Sequence, residues 1–345
     1  MSRLESQILQ YIDENENCTS TEITLKFEAD VSLATVKRLL QKFINNGYII
    51  KTGQAKNTKY KKSDTYSILK NINVDQYYKI EIDQRKILKN FNFNLITEIL
   101  PKVNLFTQTE LVTLATNHNI YKTKSNQFTT SEWRNEMERL AIDLSWKSSQ
   151  IEGNTYTLLE TEQLLKEKIT ATGKTKDEAI MLLNHKEAID FLVENPNYMY
   201  PLTVTKIENL HSILINELAV SKNIRTKRVS ISGTNYVPIE NEWQIKEALE
   251  QMCVLANSKD NVFEKAIIVL LLISYVQPFM DGNKRTARIV SNAILIHFNY
   301  CPLSFRTVDS IDYKKAMLLF YEVNNITAFK KLFMEQYEFA VNTYF

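Results

Sequence analysis

Between Gln277 and Arg288 the chain reads QPFMDGNKRTAR, so three cations, Lys284, Arg285 and Arg288, follow directly on Asp281-Gly282-Asn283. Pro278 and Gly282 interrupt the preceding apolar run, and a helix is expected from about Asn283 to Phe298 with Ala287, Val290, Ile294 and Phe298 facing inward. A helix N-terminus carries partial positive charge and ordinarily gathers Asp and Glu. Cations stacked there are unfavourable unless an anion joins them. The free backbone N–H groups of the same turn would bind that anion, and Gly282 lets it approach the backbone closely. Arg285 and Arg288, three apart, share one face. Asp281 supplies a single carboxylate, the usual anchor for Mg²⁺ when phosphates provide further ligands. The pattern predicts a magnesium–phosphate site at 281–288. A plain helix start with solvent-seeking arginines would leave the three cations unexplained.

A second chemical group lies upstream. Ser131 to Ile151 has helical spacing (Trp133, Met137, Leu140, Leu144) and ends in SSQIEGN at 148–154. Gly153 is expected to cap that helix, which puts Glu152 near the negative end of a dipole, where a carboxylate needs a cationic partner.

The elements that must position these residues are mostly helical. Val262 to about Tyr275 is apolar nearly all round, which predicts a helix buried on most sides. Arg228 to Val237, RVSISGTNYV, alternates Val229 and Ile231 with polar neighbours around Ser232-Gly233-Thr234-Asn235 and reads as a β-hairpin. His211 in ENLHSIL reads as a packed core histidine. The aromatic stretch from Tyr313 to Phe345 is expected to close the core.

The N-terminal region has its own signature. Residues 1–31 hold seven acidic and two basic residues, whereas 32–62 hold eight basic residues and no acid. Apolar positions predict helices at Leu4–Ile12, at Thr21–Phe27 capped by Thr19-Ser20, and after Ser32, with Val36, Leu39, Leu40, Phe43 and Ile44 inward and Gly47 ending the last. Residues 48–51 and 58–61 flank a turn at 53–57. Three helices and a basic hairpin resemble a winged helix-turn-helix. That resemblance implies DNA as the partner of 32–62, through Lys37, Arg38, Lys42, Lys56 and Lys59. A protein-contact module with a solvated basic face is the alternative. Residues 64–125, with helical spacing around Ile80 to Leu100 (Ile87, Leu88, Phe91, Leu95, Ile99), read as a helical connector. The expected domains are therefore 1–63, 64–125 and 126–345.

Composition narrows the classes. The chain has 345 residues, with 42 basic and 40 acidic, and only 6 Gly and 6 Pro, too few turn formers for a large all-β fold. Three scattered cysteines exclude a disulfide framework and a zinc pattern, and four scattered histidines argue against a multi-His metal site. MSRLESQ has no signal-peptide pattern, and the apolar run 266–276 is too short to span a bilayer. A cytoplasmic, reduced protein with no membrane partner is expected; homo-oligomerisation is left open.

The 277–288 string resembles the signature of the Fic (Fido) family, HPFx[DE]GN[GK]RxxR, through Pro278, Phe279, Asp281, Gly282, Asn283, Arg285 and Arg288. The resemblance extends over roughly 130–345. It implies a mainly α protein: a helical Fic core with a β-hairpin flap, here joined to a small winged-helix domain. It implies transfer of AMP from ATP to a Ser, Thr or Tyr hydroxyl of a target protein. In that scheme Asp281 holds Mg²⁺, Gly282 and Asn283 form the anion hole, and Lys284, Arg285 and Arg288 bind ATP. Ser148, Glu152 and Gly153 match the (S/T)xxxE(G/N) inhibitory motif, whose Glu pairs with the second signature Arg, here Arg288. The flap, Ile231, Gly233, Thr234 and Tyr236, would hold the target by strand addition. The departure is Gln277, which stands where the family has its general-base His. A neutral amide cannot take a proton, and general-base help is worth roughly 10²–10⁴ in rate, so weak or absent transfer is expected. Lys284 gives the NKRT shared with the Doc branch, associated with phosphate transfer. The alternatives are thus a nucleotide-sensing DNA-binding regulator with a degenerate core, AMP removal with Glu152 as base, or phosphotransfer.

Overall fold

The computed structural model describes residues 2–27 and 31–345, apart from the side chain of Lys56, and divides the chain into two compact units, Met1–Asn71 and Ile72–Phe345. In the first, α1 (Arg3–Glu14), α2 (Ser20–Lys26) and α3 (Leu33–Asn45) precede an antiparallel hairpin of β1 (Ile49–Thr52) and β2 (Lys59–Lys62), in which Ile49 pairs with Lys62 and Thr52 with Lys59. Each helix begins on a hydroxyl cap. Ser2 and Thr19 form reciprocal capping boxes with Glu5 and Glu22, and Ser32 caps α3, which satisfies N–H groups that a helix start leaves open. Ile8, Leu9, Ile12, Ile23, Val36, Leu40, Phe43 and Tyr60 form the buried core. α4 (Asp64–Leu69) belongs to the same compact unit, which therefore extends past the expected limit at residue 63.

The second unit starts with α5 (Val74–Tyr77) and then departs from expectation. Residues 80–100 are no continuous helix. They hold a turn at Ile82–Gln84, an extended strap, and helical turns at Leu95–Ile99 and Leu100–Lys102. The strap's backbone is satisfied at long range: Leu88 N–H donates to Glu322 O at 2.7 Å, and Lys89 O accepts from Val237 N–H at 2.7 Å. Phe91 stacks on Tyr275 at 4.6 Å between ring centres. A run of Ile, Leu and Phe at helical spacing serves equally well as apolar anchors for a strap once tertiary partners take the backbone bonds.

The rest is helical: α6 (Gln108–Ser125), α7 (Thr130–Ile151), α8 (Leu158–Glu167), α9 (Lys176–Glu194), α10 (Val204–Leu214), α11 (Glu242–Ser258), α12 (Val262–Val276), α13 (Asn283–His297), α14 (Ser310–Val323) and α15 (Thr327–Tyr344). α12 is buried from Phe263 to Val276, as its all-round apolar sequence requires, and packs antiparallel to α13. α7, α9, α10 and α14 surround this pair. Among the described residues no helix is long and apolar enough to cross a membrane, and the three cysteines are free and buried.

The expected hairpin at 228–237 is not a hairpin. Its backbone carries only an isolated parallel bridge from Val237 to Asn90, with a turn at Ser232-Gly233. Two short strands with no third partner gain little in water. Here Arg225, Arg85 and Tyr236 anchor the loop by other means: Arg225 donates to Lys227 O at 2.9 Å and to Ile239 O, and Arg85 to Gly233 O at 3.2 Å.

Candidate active site

Gln277 caps α12 in the left-handed conformation (φ +51°), and its N–H still reaches Ile273 O at 3.1 Å. Gly282 opens α13 with φ +79°. A Cβ there would lie 3.2 Å from the His211 ring, so both the backbone angle and the space call for glycine. His211 stacks on Phe279 at 3.6 Å and meets Thr286 Oγ1 at 3.2 Å. Burial lowers its pKa to about 4. It is a packed core residue, as expected.

Between these caps Asn283 ties the loop. Its Oδ1 accepts from Phe279 N–H at 2.8 Å, and its Nδ2 donates to Phe279 O at 2.8 Å and Gln277 Oε1 at 3.1 Å. Gln277 Nε2 donates to Ser274 O at 2.6 Å. The buried Gln277 amide is thus committed to structural bonds, and an amide offers no basic lone pair.

The three cations at the start of α13 take different partners. Arg285, 1% exposed, pairs with Asp281 at 3.1 Å through one nitrogen, while its buried Nε and Nη1 have no partner. Buried guanidinium donors without acceptors are costly, so this surface suits an anion. Asp281 is largely exposed; one oxygen accepts from Gly282 N–H and the other faces Arg285. Among the described residues no group of three or more His, Cys, Asp or Glu could hold a metal by itself. A magnesium ion here would rest on Asp281 together with phosphate oxygens, which is how that ion is commonly bound.

Arg288 is fully buried and turned toward α7. Its Nε donates to Ser148 Oγ at 2.8 Å, and Nη2 donates to Ser148 O at 2.9 Å and Glu152 Oε1 at 3.0 Å. Lys284 meets Glu152 Oε2 at 3.3 Å. Burial alone would raise the Glu152 pKa, but Arg288, Lys284 and Arg285 together outweigh it and hold it below the ordinary carboxylate value. α7 ends where Gly153 adopts φ +103°, with Asn154 N–H on Ser149 O and Gly153 N–H on Gln150 O, both 3.0 Å. This paired closure fixes Glu152 on the last turn, facing α13.

Beside these charges lies a cavity of about 340 Å³, lined by Glu152, Gln277 and Lys284, by Ser230, Ile231 and Ser232 of the loop, and by Tyr313, Met317, Leu318 and Tyr321 of α14.

Residues 201–295, which contain this loop, α12 and most of α13, match the Fic/DOC family. The chain carries a Fic/DOC domain. A protein adenylyltransferase Fic from Nematostella vectensis is 28% identical over 180 residues, covering 49% of this chain and 40% of that protein. Less than half of the relative's length is therefore matched. Fic-1 from C. elegans superposes with a TM-score of 0.60 at 20% identity, over 68% of this chain and 72% of that one. A Fic-domain signalling protein from Bacteroides thetaiotaomicron gives 0.58 at 16% identity, over 67% and 95%. At such identities the two structures speak for the fold.

Around the cavity the loop residues divide. Ile231 reaches the cavity. Thr234 and Tyr236 are buried. The Tyr236 hydroxyl donates to Tyr275 O at 2.9 Å, and its ring stacks on Tyr275 at 4.7 Å. Gly233 backs onto Leu318. These three anchor the loop. In the N-terminal unit Lys37, Arg38 and Lys59 are exposed, Lys42 pairs with Glu5 at 2.6 Å, and the side chain of Lys56 lies outside the described residues.

Two participants carry no sequence motif. Arg225, 2% exposed, donates through Nε to Gln277 O at 2.6 Å and through its backbone N–H to Pro278 O at 2.9 Å. His185, fully buried on α9, meets Ser148 Oγ at 2.7 Å. His185 stands between Asn184 and Lys186, so nothing in its sequence surroundings singles it out.

Proposed function

We propose that this chain is a Fic-type protein adenylyltransferase, held closed by Glu152 and slow for want of a base at Gln277. The observation that carries the reading is the pairing of a fully buried Arg288 with Glu152, next to Arg285 donors that have no acceptor. A nucleotide triphosphate at the mouth of α13 would satisfy Arg285, and Arg288 becomes available to it only when Glu152 withdraws. The Gly282 turn brings backbone N–H groups to the same phosphates. Mg²⁺, held by Asp281 and the phosphates, would neutralise charge there. A target hydroxyl, aimed by the Ser230–Ser232 stretch, attacks the α-phosphorus and pyrophosphate leaves. The hydroxyl proton needs an acceptor, and the Gln277 amide is none. The low-identity relatives named protein adenylyltransferase support the same reading.

The test is labelling of a protein lysate with α-labelled ATP and Mg²⁺. Little label is expected from the natural chain, and strong label from a chain carrying both Glu152→Gly and Gln277→His. Label from γ-labelled ATP instead would establish phosphotransfer, and release of AMP from a modified target would establish AMP removal.

A second reading has its own support in the exposed Lys37, Arg38 and Lys59 of the N-terminal unit, whose three helices and hairpin follow the element order of a winged helix-turn-helix. The Fic/DOC domain would then sense nucleotide for a DNA-binding regulator. Nucleotide-dependent DNA affinity, with no label in any variant, would favour it.

A further inference from the structure

The closed state leaves one buried, chemically capable side chain unassigned. His185 is fully buried on α9, and its Nδ1 has no partner. Its Nε2 lies 2.7 Å from Ser148 Oγ, the same oxygen that receives Arg288 Nε–H at 2.8 Å. A guanidinium only donates, so Ser148 Oγ is an acceptor toward Arg288. The hydroxyl keeps one proton, and the imidazole nitrogen beside it can accept that proton when neutral with hydrogen on Nδ1. Polarised in this way, Ser148 is a better acceptor for the arginine. Burial, with Arg288 and Arg285 close by, keeps the imidazole neutral by holding its pKa well below 6.5.

We propose that His185 is a positioning residue of the closed state: it orients the Ser148 hydroxyl, which turns the Arg288 guanidinium toward Glu152 and away from the nucleotide. The relay runs from α9 through α7 to α13. Ser148 O and Glu152 take the two bonds of Arg288 Nη2. The Nε bond runs through the Ser148 hydroxyl, a rotatable group, and that group is the one His185 governs. Without the imidazole the hydroxyl is free to turn and the arginine loses one of three fixed acceptors.

This inference rests on the proposed closure by Glu152, so its test must separate the two. ATP affinity is measured by calorimetry with Mg²⁺ on the full chain and on His185→Phe, His185→Gln, Ser148→Ala and Glu152→Gly. His185→Phe keeps an aromatic ring but removes the acceptor, while the amide oxygen of His185→Gln can replace it. Loss of a charge-assisted bond corresponds to about tenfold. His185→Phe and Ser148→Ala are therefore expected to bind ATP about tenfold tighter than the natural chain. His185→Gln should stay near it. Adding His185→Phe to Glu152→Gly should gain nothing further, because the arginine is then already free. A merely structural histidine would instead weaken binding in every background. Tight binding by Glu152→Gly, with no gain in His185→Phe or Ser148→Ala, overturns the role of His185 and leaves the closure intact. Equal affinity of Glu152→Gly and the natural chain overturns both. If His185→Phe fails to fold, His185→Ala decides in its place, since it deletes the same ring nitrogen and adds no volume.

Discussion

Replacing Glu152 by Gln removes the charge opposite a fully buried guanidinium while keeping the size of the side chain. Breaking one half of a buried ion pair costs about 3–5 kcal/mol, because the other charge stays behind unpaired. The low end applies here. Arg288 keeps Ser148 Oγ and Ser148 O, and the Glu152 side chain is itself 21% exposed. About 3 kcal/mol, at about 2 °C per kcal/mol for a domain of this size, lowers the melting temperature by roughly 6 °C without nucleotide. ATP at a hundredfold excess over its dissociation constant returns about 2.7 kcal/mol, nearly the whole loss. The natural chain, whose Arg288 is occupied, gains less from the same ATP. Calorimetric melting of both proteins with and without ATP and Mg²⁺ reads all four states. A variant that melts no lower than its parent, or an ATP shift equal in both, refutes the claim that this pair competes with nucleotide.

Restoring a base by Gln277→His in the Glu152→Gly background is expected to raise AMP transfer by roughly 10²–10⁴, read from initial rates with α-labelled ATP. The Glu152 carboxyl sits below its ordinary value in the folded chain, so its contribution to stability is present above pH 4.5 and fades as pH falls through its lowered value. Acid melting curves of the natural chain should therefore steepen there, and those of Glu152→Gln should not. His211, lowered to about 4, binds its proton more readily when unfolded. His211 should accordingly make stability fall as pH drops from 6.5 to about 4 by up to about 1.4 kcal/mol per pH unit, a share of the slope that His211→Gln removes while that of the buried His185 stays. If the N-terminal unit binds DNA, the double change Lys37→Ala and Arg38→Ala should reduce the slope of log affinity against log salt by about 1.8, measured by fluorescence anisotropy on duplex DNA.

What the sequence made legible follows from where the information sits. The break between α12 and α13 is local: an apolar run ends, Pro278 and Gly282 interrupt it, and cations follow. For Glu152 the residues said only that a carboxylate at a helix C-terminus needs a cationic partner; that the partner is Arg288 came from the family resemblance. The strap at 85–92 was misread because spacing reports which residues want burial and is silent on who supplies their backbone bonds; Glu322 O and Val237 N–H are far away in sequence. The loop at 228–237 alternates as a strand should, yet its register belongs to single bridges and to arginines. Arg225 and His185 are invisible for the same reason, since each acts on a residue that only the fold brings near.

The four bonds of Arg225 have a mechanical corollary. One side chain and its own N–H staple the turn carrying Gln277 and Pro278 to the segment that leads into the cavity-lining loop and out of it, at Lys227 and Ile239. Under the proposed function, the place where an incoming protein would be gripped and the place where its oxygen would react are thereby riveted to a common chassis. Displacing either drags the other along, so docking and reactivity drift together rather than being tuned apart.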